Sequence, residues 1–554
     1  VTERRSGAVA IDYLSPLPPV RSGISEYSAD LLPELFALAG DRLRVIALAG
    51  QPIAEELVER WHPATMEHTG EGGRLALYHM GNNLHHLPVW ETASRIPGIL
   101  VLHDLVLHHF LIERTLARGE LDAYVAELER EHGWAGRAAA VTRKWNAYSD
   151  AAHFAFPANG GLLRRQKGVL VHSRWAASRI AEQHPGVRVR AIPMGIPVPP
   201  PLDRSVGRAF RERHGIPHTV PLLGSFGFQT PIKRTDAVIR ALADPRLASV
   251  RLVVVGEEAK ILDLGRTADE AGVSDRVTRL GYAPFDELEA AMAATDLSVN
   301  LRYPSAGETS ASLLRLLAVG RPVLVSDYAQ FSELPDHVAV KAPLDFDHEV
   351  EALAGALAEL LSGPERLRQM GEDARRFVQD HHQPARAARV LLGACSEWAE
   401  LEPPDLPPLS APSPTTRTWG VVDGDLRLEG LDHWQPGRRR RLTLVAHNRG
   451  LARWLAADRG SGGVMFEVRL ELEGTDGATV DLLAGRPWAG LPADLAPGLS
   501  VELELELRRP SRPAVLSIEP HVVGVGSFRS LGGPVLRVEL GAESATFPPW
   551  PNAT

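Results

Sequence analysis

The stretch LLGSFGFQTPIKRTDAVIRAL, residues 222–242, with VRLVVVGEE at 250–258 close behind it, decides the fold. An apolar run, a turn carrying glycine, a helix-length segment and a second β-branched run follow one another in the order of a parallel β-α-β unit. The same alternation continues on both sides. Upstream from residue 8 it runs through AVAIDYL, LRVIALAG, LALYHMG, GILVLHD, GVLVHS and VRAIPM; downstream it runs through RVTRLGY, TDLSVNL, GRPVLVSD and HVAVKA.

The proline-rich IPVPPPLD at 196–203 parts the two series. An α/β class with two Rossmann-like domains is therefore expected, at residues 1–198 and 199–383, with a closing helix over 384–400. The segment from about 112 to 147 lacks strand runs and reads as helices inserted into the first domain. After residue 400 the texture changes. LEPPDLPPLSAPSPTT is dense in proline and reads as a semi-rigid linker over 401–417. RLTLVAH, VMFEVRLELE and VELELELRR then alternate with period two, which predicts an all-β sandwich over 418–541, followed by a tail at 542–554.

Composition excludes several classes. The 554 residues carry 60 Lys and Arg against 69 Asp and Glu, a net charge of -9, which argues against a nucleic-acid partner bound by phosphate neutralisation. The single cysteine, Cys395, forms neither an internal disulfide nor a cysteine zinc cluster. No apolar run approaches the ~18 residues of a membrane span, and the first residues lack a signal-peptide core, so a cytoplasmic chain is expected. Val1 fits a bacterial GTG start read literally.

The strongest chemical cluster is RYPSAGETSASLLRLLAVGRPVLVSD at 302–327. Its GETS turn opens an apolar-periodic helix whose first amides form an anion site, with Glu308 accepting hydrogen bonds from sugar hydroxyls. The plainer alternative has Ser305 or Thr309 capping the helix and Glu308 complementing its dipole. Lys233, just ahead of a helix, stands within reach of a phosphate, while Gly227 allows close backbone approach. A lone lysine in such a place is more often merely solvated. Gly23 ends a proline-stiffened loop at a helix start. His, Asn and Asp residues in LYHMGNNLHH and GILVLHDLVLHH stand at carboxyl ends of strands, where open α/β sheets bind ligands. No G-x-G-x-x-G follows the first strand and no Walker loop occurs, which sets back dinucleotide oxidoreductases and P-loop hydrolases. His85, His86, His103, His108 and His109 lack a metal-binding spacing, so no metal is expected.

In joint order, PPVRSGISEYS, YHMGNNLHH, PGILVLHDLVLHH, GVLVHS, FGFQTPIKR, GYAPFDEL and PSAGETSASLLRLLAVGRPVLVSD with FSELPD after it make the first 400 residues resemble glycosyltransferase family 4. These are retaining enzymes of the GT-B fold. The resemblance implies a hexosyltransferase that takes a UDP-, GDP- or ADP-sugar, needs no cofactor, and serves a glycan or lipid-linked acceptor in polysaccharide biosynthesis. It places Gly23, Gly227, Lys233, Gly307, Thr309 and Ser310 at the donor diphosphate, and Tyr282 beside the nucleobase. His103 and Glu308 fall at the donor sugar, and Asn82, Asn83, His86 and Asp104 on the acceptor side.

Two positions depart from the family pattern. Its second glutamate, commonly assigned to ribose, is Arg315 here, and the arginine five residues before the lysine is Phe228. Arg302 is the expected substitute for the missing diphosphate charge. The third domain resembles β-sandwich modules appended to some bacterial glycosyltransferases, with Trp454 expected in its core and Arg438–Arg441 in a solvated turn. The competing reading of that run is a docking patch for peripheral membrane contact. The competing reading of the whole chain is a catalytically inert GT-B protein serving as a carbohydrate-binding or assembly partner.

Overall fold

The computed structural model describes residues 9–145, 151–200, 204–342, 344, 348–406, 415–417, 423–450, 452–460, 462–472, 488–523, 526–528, 533 and 535–541. The chain divides into two compact units, residues 1–343 with 348–411, and residues 412–554 with 344–347.

The first unit contains two parallel sheets. One comprises β1 (Ile11–Leu14), β2 (Leu43–Ala47), β3 (Ala64–Thr65), β4 (Leu75–Met80), β5 (Ile99–Leu102), β6 (Gly168–Val171) and β7 (Val189–Ala191), in the order β3-β2-β1-β4-β5-β6-β7. The other comprises β8 (Leu222–Phe226), β9 (Arg251–Val255), β10 (Val277–Arg279), β11 (Leu297–Asn300), β12 (Val323–Ser326) and β13 (Val340–Ala342), in the order β10-β9-β8-β11-β12-β13. All twelve runs read from the sequence are strands of these sheets. Central strands such as ILVL and VLVS are buried at every residue, as helices on both faces of a parallel sheet require. The edge strand β3, only two residues long, is too short to show a period.

In both sheets the chain starts near the middle and winds outward both ways. The carboxyl ends on either side of β1 and of β8 therefore form switch-point crevices. The helices that matter for the site are α1 (Gly23–Ala39), α2 (Leu121–Val141), α3 (Arg174–Gln183), α4 (Phe285–Ala294), α5 (Ala311–Ala318) and α6 (Pro384–Trp398). Within the insertion, α2 breaks at Gly133, where φ is 61° and ψ is -150°. The closing helix α6 packs on α1, and the Trp398 indole lies so close to Gly168 that an added Cβ would come within 2.2 Å of it. Lys167 Nζ donates to the carbonyls of Ala399 and Leu401, and Arg188 to that of Glu402 at 2.6 Å. The start of the segment read as a linker is thus pinned to the first lobe.

The second unit holds two antiparallel sheets. In one, β15 (Arg439–Asn448) lies between β14 (Gly424–Glu429) and β18 (Ser500–Arg508). In the other, β16 (Val464–Leu472), β17 (Trp488–Gly490), β19 (Ala514–Val522), β20 (Gly526–Ser527) and β21 (Leu536–Leu540) pair around β19 and β16. Alternate residues such as Leu442, Leu444, Phe466 and Val468 are buried, and the buried Trp454 meets Phe528 edge-on at 4.9 Å. Trp454 is a core residue.

The arginine run is not a turn. Arg439–Arg441 opens β15, where Arg441 stands opposite Glu506, and Glu504 and Glu502 follow along the same exposed face. Neighbouring carboxylates dilute the charge, which removes the main ground for a basic docking patch.

Candidate functional site

The site is assembled where loops from the two lobes of the first unit meet. From the second lobe, the chain leaves β8 through Gly227, at φ +84°, a left-handed conformation that glycine adopts without steric penalty. The short turn Pro231–Lys233 then folds Lys233 back beneath the strand end, where its ammonium donates to the Phe226 carbonyl at 2.5 Å. Lys233 is only 8% exposed. After β11, Arg302 is equally enclosed; its Nε donates to Glu308 Oε1 at 3.2 Å and its Nη1 to the Leu301 carbonyl at 2.8 Å. The Ser305 hydroxyl reaches the other carboxylate oxygen of Glu308 at 3.2 Å, and Gln330 donates to the Glu308 carbonyl at 2.6 Å.

Helix α5 starts immediately beyond. Its cap is Ser310, whose hydroxyl accepts the Leu313 amide at 3.2 Å, so neither Ser305 nor Thr309 serves that purpose. Glu308 faces Arg302 rather than the helix amides. The amides of the first helical turn have no intrahelical carbonyl partner.

Electrostatically this corner is unusual. Burial holds the Lys233 ammonium well below its ordinary pKa, Arg302 adds repulsion, and Glu308 partly offsets both. Burial likewise lowers Arg302, against the pull of Glu308. Arg302 pairs with Glu308, and Lys233 lies enclosed beside them with a backbone carbonyl as its partner, a place where a bound anion would favour its charged form.

The first lobe supplies a neutral wall. His79 and His103 project from β4 and from the end of β5, with Nδ1 and Nε2 3.0 Å apart. His172, beyond β6, lies 4.9 Å from the His103 ring, and Tyr27 of α1 meets His103 edge-on at 5.0 Å. Burial, then mutual repulsion, keeps the imidazoles uncharged; His172 is held at about 4. Asp104 accepts the Asn82 amide at 2.9 Å, yet burial and then Glu308 across the cleft push it up to about 7.

Asn82 brackets the loops here, accepting the Phe110 amide at 2.9 Å with its amide group 3.2 Å from His109. Asn83 and His86, expected on the acceptor side, contact one another: Asn83 Oδ1 lies 3.1 Å from the ring of the fully buried His86 and also accepts the His85 amide. Gly23 follows the Ser22 cap of α1 and faces open space, for an added Cβ there would meet nothing within 4 Å.

The lobes touch at several points. The Val106 amide donates to the Ala306 carbonyl at 2.9 Å, and Gly307, at φ +76°, sits so close to Leu105 that a Cβ would approach its Cβ to 2.5 Å. Arg21 lies 4.8 Å over the ring of Tyr282, which is otherwise exposed, as is Phe228. Glu333 of the second lobe accepts the Arg174 amide at 3.2 Å and also that of Trp175, closing the start of α3. A cavity of about 370 Å³ opens between His172, Ser173, Thr309, Ser310, Gln330 and Glu333. His79, His172, Ser305, Gln330 and Glu333 were missed as site residues; the position of His79 and His172 at strand ends was the available signal.

Two Rossmann-like lobes facing one cleft make a GT-B-like fold. Residues 207–377 match the family model described as glycosyl transferases group 1. The chain is similar to D-inositol 3-phosphate glycosyltransferase of Nocardia farcinica, 33% identical over 181 residues, covering 31% of this chain and 39% of the relative. It is also similar to the GDP-mannose-dependent alpha-(1-6)-phosphatidylinositol monomannoside mannosyltransferase of Mycolicibacterium smegmatis, 28% identical over 237 residues, covering 40% of this chain and 61% of the relative. The chain thus spans less than two thirds of either curated relative. Among solved structures, Anabaena HepE in complex with UDP-glucose superposes with a TM-score of 0.48 and 16% identity, over 70% of this chain and 99% of that one.

Proposed function

We propose that this protein is a retaining glycosyltransferase that moves a sugar from a nucleoside-diphosphate sugar to a hydroxyl of a glycan or lipid-linked acceptor. The observation that carries this reading is the pair of enclosed basic side chains, Lys233 and Arg302, beside the start of α5, with Glu308 the acidic side chain near both among the described residues. A diphosphate supplies the anion that such a corner lacks. The same convergence weighs against an inert partner protein.

In this reading the bond between the donor's anomeric carbon and the diphosphate oxygen breaks, and the acceptor oxygen bonds to that carbon from the same face. The departing diphosphate oxygen takes the acceptor's proton. Lys233, Arg302 and the first amides of α5, with Thr309 and Ser310 beside them, stabilise the charge that grows on the leaving group. Gly227 and Gly23 keep the approach clear of side chains. His103, neutral and fixed by His79, faces the donor sugar. Glu308 holds sugar hydroxyls while orienting Arg302, Tyr282 lies beside the nucleobase, and Asn82 and Asp104 line the acceptor side. The cations do the charge work assigned elsewhere to a metal, so a chelator should leave turnover intact; its complete loss would refute that part.

The test is a thermal-shift series with UDP-, GDP- and ADP-sugars, followed by slow donor hydrolysis without acceptor. One nucleotide sugar should raise the melting temperature, because a ligand bound only by the folded state stabilises it. Hydrolysis should vanish in Glu308→Ala. Absence of binding by any of the donors would sink the proposal.

A further inference from the structure

The second unit presents two outward sheet faces of different character. On the face of β14, β15 and β18 the polar side chains are open to water; Arg441 and Glu504, 3.8 Å apart, are each 75% exposed. These three strands contain no Phe, Tyr or Trp. On the other sheet, Trp488 of the edge strand β17 stands opposite Glu467 of β16, which in turn stands opposite Glu519 of β19. With strands ~4.8 Å apart, that row runs about 10 Å across the sheet. The Trp488 indole also meets the His521 imidazole of β19 edge-on at 4.8 Å, so it reaches over the middle strand. It keeps 37% of its surface exposed, whereas the Glu467 side chain beside it keeps 13%. Glu467 Oε2 lies 3.0 Å from His521 Nε2 and 2.7 Å from Arg469 Nη2.

Folding alone gives no reason for this row. Carboxylates directly opposite one another on neighbouring strands repel, and an indole left partly outside the core forgoes part of its burial. A ligand with an apolar face for the indole and hydroxyls along the rim of that face accounts for both. A pyranose ring is built in this way, with C–H groups on its faces and hydroxyls around its edge. The paired carboxylates disfavour an anionic polymer. An alkyl chain would strip water from Glu467 and His521 and return no hydrogen bond. We infer that the outward face of β17, β16 and β19 is a binding site for a neutral glycan, with one sugar ring stacked on Trp488 and hydroxyls bonded to Glu467, His521 and Glu519. Arg469 holds the Glu467 carboxylate in place for it. The row is longer than one sugar ring, so the site takes a chain rather than a single sugar. Nothing in this face depends on the reaction proposed above.

The experiment is affinity electrophoresis of the full chain in native gels cast with soluble mannan, galactan, α-glucan or β-glucan, with polygalacturonate as the anionic comparison. At least one neutral polysaccharide should retard wild type, and polygalacturonate should not. Trp488→Ala should raise the apparent Kd for that polysaccharide by roughly thirtyfold, the scale for losing a central aromatic anchor. Glu467→Gln should raise it by roughly tenfold, as for a hydrogen bond to a charged group, and serves as the second variant if Trp488→Ala does not fold. Lys233→Ala, altered only in the cleft, should be retarded as wild type is; loss of retardation there would place the glycan in the cleft and overturn the inference. Unchanged retardation in both Trp488→Ala and Glu467→Gln overturns it too, as does a wild type that no neutral polysaccharide retards or that polygalacturonate retards more. Capture of wild type, but not of Trp488→Ala, by immobilised casein in place of any glycan would give the face to a polypeptide instead. Donor hydrolysis should be equal in Trp488→Ala and wild type, so failure at this face leaves the proposed reaction standing.

Discussion

The two walls of the cleft are built from similar sheets but solve opposite problems. The second lobe encloses Lys233 and Arg302 and offsets them with one carboxylate; the first lobe encloses His79, His103 and His172 and keeps all three uncharged. A buried charge is costly unless it is paired, whereas a buried neutral imidazole costs little once it has a hydrogen bond. One wall therefore stores unfavourable charge that an anion can relieve. The other shapes the space opposite without competing for that anion.

The contrast can be broken most severely at the charged wall. Lys233→Ala should lower turnover by about 10² to 10³, the scale for removing one preorganised group that stabilises developing charge, as measured in steady-state assays. His79→Gln, on the neutral wall, should cost much less; equal losses would erase the distinction. Glu308→Ala should destabilise the fold by roughly 3 kcal/mol in denaturant titration, because the buried Arg302 loses its ion-pair partner. Unchanged stability would show that Arg302 does not depend on it.

Asp104 tests the boundary between the walls. The folded protein holds this proton to about pH 7, while the unfolded carboxyl releases it near its ordinary 3.8. Across that window the folded state binds the extra proton, so rising pH removes stability. Asp104→Asn abolishes this loss. Its melting temperature relative to wild type should be higher at pH 7.5 than at pH 4.5, and an equal difference at both would contradict the raised pKa. The smallest effect belongs to Ser310→Ala, which removes one cap and should cost about 1 kcal/mol. A similar cost at Thr309→Ala would mean that the cap has been misplaced.

The parallel sheets were legible because a strand buried on both faces shows itself as a continuous apolar run. Twelve runs became twelve strands, the half-exposed β7, β10 and β13 being found from their place in the alternation, and β3 escaped. The arginine run reads as a turn because four charges stand together, until the facing strand, with Glu502, Glu504 and Glu506, shows that Arg439 and Arg441 lie on the solvated face of β15. At the site, the residue types at strand ends and at the start of α5 could be named from spacing. Their partners could not. The sequence offers Ser305 or Thr309 as the cap, and the backbone geometry selects Ser310 instead. That Asn83 holds His86, or that Arg315 meets Asp30, depends on contacts between segments far apart in the chain.

The hydrogen bond from the Val106 amide to the Ala306 carbonyl is a backbone link between lobes, made next to the close contact of Gly307 with Leu105. Any parting of the lobes must break it and admit water to that one amide. The exchange of a single proton for deuterium at Val106 is therefore a clock for the opening of the cleft, readable without substrate.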